Sequence, residues 1–191
     1  MTKKQKLLLI GIATLIMVMI GSTSAFFVAS GRTHNAITTS GVSIELIENT
    51  NRSGVDGRPI PFTNIDNAHP GEEYSKIPQV KNTDEGDAWI RIAVKKVAEK
   101  NDGSTVNVAD NLMLTNYNTR NWLNGNDGYY YYYRALKSGE TTEPLFTNVK
   151  LADNLDNEIK ATKYHLSLQA EAVQTANNGN SVYDAEGWPE E

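Results

Sequence analysis

The clearest alternation in the chain lies towards its C-terminal end, where Tyr164, Leu166, Leu168, Ala170 and Ala172 are separated by His165, Ser167, Gln169 and Glu171. A period of two places apolar side chains on one face and polar ones on the other, so this stretch predicts a half-buried strand. Val42 to Ile47 repeats the pattern, with Val42, Ile44 and Leu46 opposed to Ser43 and Glu45. From Leu145 to Leu151, Leu145, Thr147, Val149 and Leu151 share a face. Ala88 to Ala98 supports two periods at once. Ile90, Ile92 and Val94 alternate with Arg91 and Lys95, while Ile90, Ala93, Val94 and Val97 also form a helical stripe. The β-branched residues and Trp89 favour the strand. In a strand, the run Tyr129 to Tyr133 would send Tyr129, Tyr131 and Tyr133 to one face and Tyr130 and Tyr132 to the other.

The stretches between these segments carry turn chemistry. Glu48 to Pro70 is rich in Asn, Gly, Asp and Pro and reads as a long loop with one short strand near Ile60 to Phe62. Glu72 to Lys81 is extended, and Pro78, which lacks a donor, predicts an edge position or a bulge there. Asp84-Glu85-Gly86-Asp87, Asn101-Asp102-Gly103 and Ser138-Gly139 are turns. Residues 104–128 hold Leu112, Met113, Leu114, Trp122 and Leu123 in an Asn-rich setting that leaves room for a short helix, and Asp153 to Lys160 has room for one helical turn. Residues 175–191 form a polar C-terminal tail. Some seven short strands separated by turns predict a mainly β fold, an antiparallel β-sandwich with long loops, over residues 42–174.

The N-terminus follows a different rule. Lys3, Lys4 and Lys6 precede fourteen uncharged residues, Leu7 to Ile20, and the small residues that follow end in Thr23-Ser24-Ala25. That is the layout of a secretory signal peptide, residues 1–25, with cleavage between Ala25 and Phe26. Extension of the apolar run through Phe26-Phe27-Val28 would instead make a retained membrane anchor, although the run before it falls short of the roughly 20 residues a bilayer requires. Residues 26–41 show no period and read as a flexible N-terminal arm or as a strand awaiting a partner.

The leader with its Gly11-Ile12-Ala13-Thr14 and Gly21-Ser22-Thr23-Ser24-Ala25-Phe26-Phe27 resembles those handled by the SipW-type signal peptidase of Gram-positive bacteria. Val80-Lys81-Asn82-Thr83-Asp84-Glu85-Gly86-Asp87-Ala88-Trp89-Ile90-Arg91-Ile92 resembles the V-N-T-G-x-x-x-A-W-I-R segment of small exported proteins of the TasA/camelysin (CalY) family of biofilm matrix proteins. Leu136 to Phe146 and Gln169 to Gln174 are similar to other recurring segments of that family. The resemblance implies a jelly-roll-like sandwich, a place in the extracellular matrix or on the cell surface of a Gram-positive bacterium, and self-assembly or association with related matrix proteins.

Charge and composition narrow the chemistry. The leader holds three lysines and no acid, so its removal takes the net charge from −5 to −8 (−5 − 3). A chain this acidic is a poor partner for nucleic acid, whose phosphates call for basic patches. The chain has no cysteine, which fits an exported protein that folds without oxidative cross-links. His34, His69 and His165 fall in the arm, a loop and the polar face of a strand, with no HExxH pair to hold zinc, no GxSxG elbow and no glycine-rich phosphate loop. No catalytic, cofactor or metal residue is therefore assigned. A camelysin-type metalloprotease, which the resemblance also raises, would need ligands that this pattern does not supply. The acidic turns at Asp84 to Asp87 and Asn124 to Gly128 lack the spacing of a calcium loop and read as solvated turns.

The expectation is a secreted structural protein of the matrix or cell surface that forms fibres by donor-strand addition. Cleavage would free residues 26–40, with Phe26, Phe27 and Val28 as the donor segment entering an open sheet edge on the next subunit. A monomeric surface adhesin or glycan-binding module is the other reading, with Tyr129, Tyr131 and Tyr133 as its aromatic contact surface.

Overall fold

The computed structural model of the chain describes residues 25–28, 36–38, 42–108, 110–155 and 163–189. The leader up to Ser24, His34 with most of the arm, and residues 156–160 of the expected helical turn lie outside the described residues. Among the described residues fourteen strands follow in order: β1 (Ala25–Val28), β2 (Ala36–Thr38), β3 (Ile44–Ser53), β4 (Pro59–Pro61), β5 (Ile65–Ala68), β6 (Glu73–Ser75), β7 (Ile77–Asn82), β8 (Ala88–Glu99), β9 (Thr105–Asn107), β10 (Leu112–Thr115), β11 (Trp122–Asn124), β12 (Tyr129–Tyr132), β13 (Asn148–Leu151) and β14 (Lys163–Gln174). Among the described residues there is no helix.

The spine is the antiparallel pair β8 and β14, in register from Lys163 opposite Glu99 to Gln174 opposite Ala88. Around it runs the largest sheet, ordered β11-β12-β8-β14-β1-β5, with β9 also on β8 and β2 also on β14. Two three-stranded sheets, β10-β13-β6 and β4-β3-β7, complete the fold. The alternation read in β14 is the one observed: Tyr164, Leu166, Leu168, Ala170 and Ala172 are buried, and they meet Ala88, Ile90 and Ile92 of β8 in the core. Ile44 and Leu46 of β3, Val80 of β7, Leu112 of β10 and Val149 and Leu151 of β13 belong to the same core. One apolar interior shared by three sheets makes the fold sandwich-like and mainly β. The strand order does not establish the jelly-roll connectivity that the resemblance implied.

Local differences from the sequence reading have physical causes. Residues 104–128 hold no described helix; Leu112, Met113 and Leu114 lie in β10, opposite Leu151, Lys150 and Val149 of β13. Asn116, in the left-handed region at φ 55°, ends that strand. β3 runs on to Ser53 because its polar second half pairs with β4 and β7 at the surface. β5, unexpected within a loop, exists through its pairing with β1.

Pro78 lies in β7, an edge strand of its sheet. Its carbonyl accepts from Leu145 N–H at 3.1 Å, on the side away from β3. The nitrogen without a proton faces that same side, so no bond of the β3–β7 ladder is lost.

The tail, read as polar, is packed. Val182, Ala185 and Trp188 join Trp89, Tyr131 and Val173 in a second apolar cluster on the outer face of the large sheet. Asn178 fixes the loop: its carbonyl accepts from Trp89 Nε1 at 2.9 Å, its amide nitrogen donates to Gln174 and Glu186 carbonyls, and its Oδ1 accepts from Glu186 N–H. Gly179, at φ +71°, is required here because a Cβ would lie 2.8 Å from the Asp184 backbone.

Candidate functional site

The N-terminal segment expected to act as a donor is a strand with neighbours on both sides. β1 runs parallel to β14, with Phe26, Phe27 and Val28 opposite Lys163, Tyr164 and His165. On its other side it runs antiparallel to β5, with Ala25 opposite Ala68 and Phe27 opposite Ile65. β2 takes a second parallel place on the same edge of β14, with Ala36, Ile37 and Thr38 opposite Ala170, Glu171 and Ala172. These two are the parallel pairings among the described strands; every other ladder is antiparallel. The junction Ala25–Phe26 expected for cleavage falls inside β1.

The three mature segments that carry the resemblance come together in one unit. Asn82, fully buried at the end of β7, donates from Nδ2 to the carbonyls of Gly86 at 2.8 Å and Leu136 at 3.0 Å, and its Oδ1 accepts from Asp84 N–H at 3.0 Å. That side chain thereby holds the turn Asp84 to Asp87 and ties it to the 136–146 segment. Thr142, also buried, accepts from Val80 N–H at 3.0 Å through its hydroxyl and donates its own N–H to the Val80 carbonyl. Leu136, Leu145 and Phe146 fill the core beside it. Past the turn, Trp89 faces the tail, Ile90 the core, and Arg91 pairs with Glu171 of β14 at 2.7 Å.

Arg91 is the centre of the outer face. Its guanidinium lies 3.8 Å from the Tyr129 ring centroid and 4.4 Å from that of Trp188, so it is held between two aromatic faces while Glu171 neutralises it. Tyr131 donates from its hydroxyl to Asp127 at 2.7 Å. Burial pulls the Asp127 carboxyl upward, but the bonds from Tyr131 and from Tyr129 N–H outweigh it and leave the group below its ordinary value. The tyrosines proposed as a contact surface are thus divided. Tyr131 is 8% exposed beneath the tail and its ring lies 5.2 Å from that of Tyr183, whereas Tyr133 is 48% exposed. On the other side of the strand, Tyr132 is fully buried against Trp122, at 5.1 Å between ring centroids, and Tyr130 meets Tyr117 at 5.2 Å.

The two described histidines, His69 and His165, do not converge. His165 Nε2 lies 3.0 Å from Glu99, and His69 offers its backbone N–H to the Tyr74 hydroxyl. Among the described residues no three His, Asp or Glu side chains gather where one metal ion could bind. The acidic turns use their side chains on their own backbone, as where Asp127 accepts from Tyr129 N–H and Asn124 from Asn126 N–H. Among the described residues no helix is long and apolar enough to cross a membrane. The sequence did not point to the apolar cluster under the tail, whose signal was the pair Tyr183 and Trp188 in otherwise polar surroundings. No protein-family model, no curated protein and no solved structure matches this chain.

Proposed function

We propose that this chain is a secreted structural protein of the extracellular or biofilm matrix, or of the cell surface, that assembles into fibres by donating its N-terminal strand to a neighbouring copy. The observation that carries the reading is the position of β1. A segment next to the expected cleavage junction lies between β14 and β5 and hydrogen-bonds to both. A strand supplied from the chain terminus with no hairpin to its neighbours is the kind that another copy can supply in the same register. Head-to-tail exchange of this sort does not close on itself, so it propagates as a filament. The leader supports export, the lack of cysteine is compatible with it, and the resemblance to the TasA/camelysin family points to a SipW-type peptidase as the enzyme that exposes the arm. Residues 26–28 cannot enter a neighbour while joined to a membrane-bound leader, so assembly would be confined to the outside of the cell.

The test is negative-stain electron microscopy with light scattering on the chain recovered after export, beside a form that starts at Gly41. Filaments from the exported chain and a folded, non-assembling truncation support the reading. Monomers in both samples refute it.

A further inference from the structure

Four large apolar side chains are exposed among the described residues: Val55, Leu123, Tyr133 and Tyr183. Two of them frame Tyr131 on the outer face of the large sheet. Leu123 stands opposite it across the β11–β12 ladder, where partners share a face, and the Tyr183 ring centroid lies 5.2 Å from that of Tyr131. Val55 stands apart, fully exposed at the tip of the β3–β4 hairpin. Gly54 N–H donates to the Arg58 carbonyl at 2.8 Å and Gly57 N–H to the Gly54 carbonyl at 3.0 Å, so the projecting tip is a closed turn. Pro59 and Pro61 remove amide donors from β4, so the hairpin offers a partner its tip rather than its edge.

The two places lie towards opposite ends of the body. The start of β3 adjoins the Asp84–Asp87 turn, since Thr83 N–H donates to the Ser43 carbonyl at 2.9 Å, and Thr175 N–H, where the tail begins, donates to the Asp87 carbonyl at 3.2 Å. Trp89, beneath the tail, follows the same turn. Antiparallel to β7, β3 runs away from that turn for ten residues, about 30 Å at the rise of a strand. Val55 therefore does not reach the Leu123 and Tyr183 of its own chain, whereas those of another copy are open to it.

Charge favours that second copy. The tip holds Arg52, Asp56 and Arg58, and Asp56 lies 3.7 Å from the Arg58 guanidinium, which leaves one net positive charge (2 − 1). Beside the patch stand two exposed acids, Asp184 next to Tyr183 and Asp127 on the Tyr131 hydroxyl, while Arg91 behind them is already neutralised by Glu171. An apolar knob between arginines suits an apolar floor edged by carboxylates.

We propose that the β3–β4 tip of one copy docks on the outer face of the next, with Val55 against Leu123 and the Tyr183 ring, and Arg52 and Arg58 facing Asp184 and Asp127. Hairpin on patch is a heterologous contact, so each added copy presents a free hairpin or a free patch to the next. The inference deepens the fibre reading by supplying a contact between bodies; only its role in a fibre rests on that reading, because docking does not require β1 to be exchanged. A footprint this small binds weakly by itself and counts when strand donation holds the same two copies together.

The chain has no cysteine, so single introduced cysteines report the contact. Val55→Cys mixed with Leu123→Cys, both as exported full chains near millimolar concentration under mild oxidation, should form the mixed disulfide at least about tenfold faster than Val55→Cys mixed with Glu85→Cys, an exposed site on the turn. Arg52→Glu in the Val55→Cys chain should slow the reaction about threefold or more, and Asp184→Lys in the Leu123→Cys chain should restore it. All these positions are exposed, so folding is not at stake. The proposal is overturned if the mixed disulfide forms no faster than with Glu85→Cys, if Val55→Cys pairs faster with itself than with Leu123→Cys, or if Arg52→Glu leaves the rate unchanged. It is also overturned if a chain carrying both Val55→Cys and Leu123→Cys closes on itself at high dilution. Absence of fibres by microscopy with a fast mixed disulfide strikes strand donation and upholds docking; fibres with a slow one strike docking alone.

Discussion

Asn82→Ala removes one side chain and unties three hydrogen bonds. The Leu136 carbonyl keeps a second partner, Ala88 N–H at 3.0 Å, so its loss is partial. The Gly86 carbonyl and the Asp84 N–H lose the Asn82 contacts, at 2.8 and 3.0 Å. Leaving a buried polar group unpaired costs about 1–3 kcal/mol, and part of this is recovered at the turn, where water can reach Gly86. The sum is about 2–4 kcal/mol, a fall in Tm of about 5–12 °C for a chain of this size. Urea and thermal unfolding followed by tryptophan fluorescence would measure it. Glu85→Ala in the exposed part of the same turn is the control and should stay within about 0.5 kcal/mol. Asn82→Asp should be worse than alanine, because a carboxylate would face the Leu136 and Gly86 carbonyls where an amide donor now points. A loss below about 1 kcal/mol for Asn82→Ala, with an unchanged denaturant slope, would refute the account of this segment as a side-chain-tied turn.

Further outcomes follow from other contacts. Trp188→Ala removes a ring held against Arg91 and Tyr131 and should cost about 1–3 kcal/mol, read as a lower urea midpoint and faster amide exchange over residues 176–189. Lys76 is fully buried, ion-paired with Glu48 and 4.1 Å from the Phe62 ring centroid. Lys76→Met alone strands the carboxylate and should cost about 3–5 kcal/mol, whereas Lys76→Met with Glu48→Gln should be near neutral by the same unfolding assay. Burial lowers the Lys76 pKa and Glu48 only partly restores it, so the folded chain releases this proton before the unfolded chain does. Stability should therefore rise with pH up to the ordinary lysine value of 10.5, and the double variant should lose that rise. Truncation to Gly41 removes the described partner of β5, so amide exchange at Ile65–Ala68 should approach that of an unpaired loop while β8 and β14 stay protected.

What was legible in the sequence was what a period of two records. The first halves of β14 and β3 have one face in the core and one outside, and their alternation survives as burial. β8 was harder because it is buried on both faces near Trp89 and Ile90, where the tail supplies a second apolar layer. A strand covered on both sides loses its polar face, and with it the signal. β5 was invisible, and β1 was legible only as an arm or a strand awaiting a partner, for another reason. Neither alternates, and each is a strand through pairing with a segment distant in sequence. The motif from Val80 to Ile92 could be recognised as a pattern, but the role of Asn82 depends on a carbonyl 54 positions away.

The proposed assembly carries a constraint that the pairing itself imposes. In the described chain, β1 already occupies the place that a neighbour's β1 would fill. Exchange between copies replaces these hydrogen bonds with identical ones, so strand pairing as such contributes nothing to the difference between monomer and fibre. The chain's own arm competes at an effective concentration on the order of millimolar, as expected for a short tether. Growth of a fibre must therefore rest on contacts the monomer lacks, between the bodies of successive subunits, and these must offset that local advantage. Spontaneous initiation would be slow, because the first exchanged pair has released two arms and gained a single new interface. Addition to an existing end releases one arm for one interface. Fibres on this mechanism should show a lag that preformed ends abolish, and a chain stripped of residues 1–40 should bind a fibre end as an acceptor yet stop its growth.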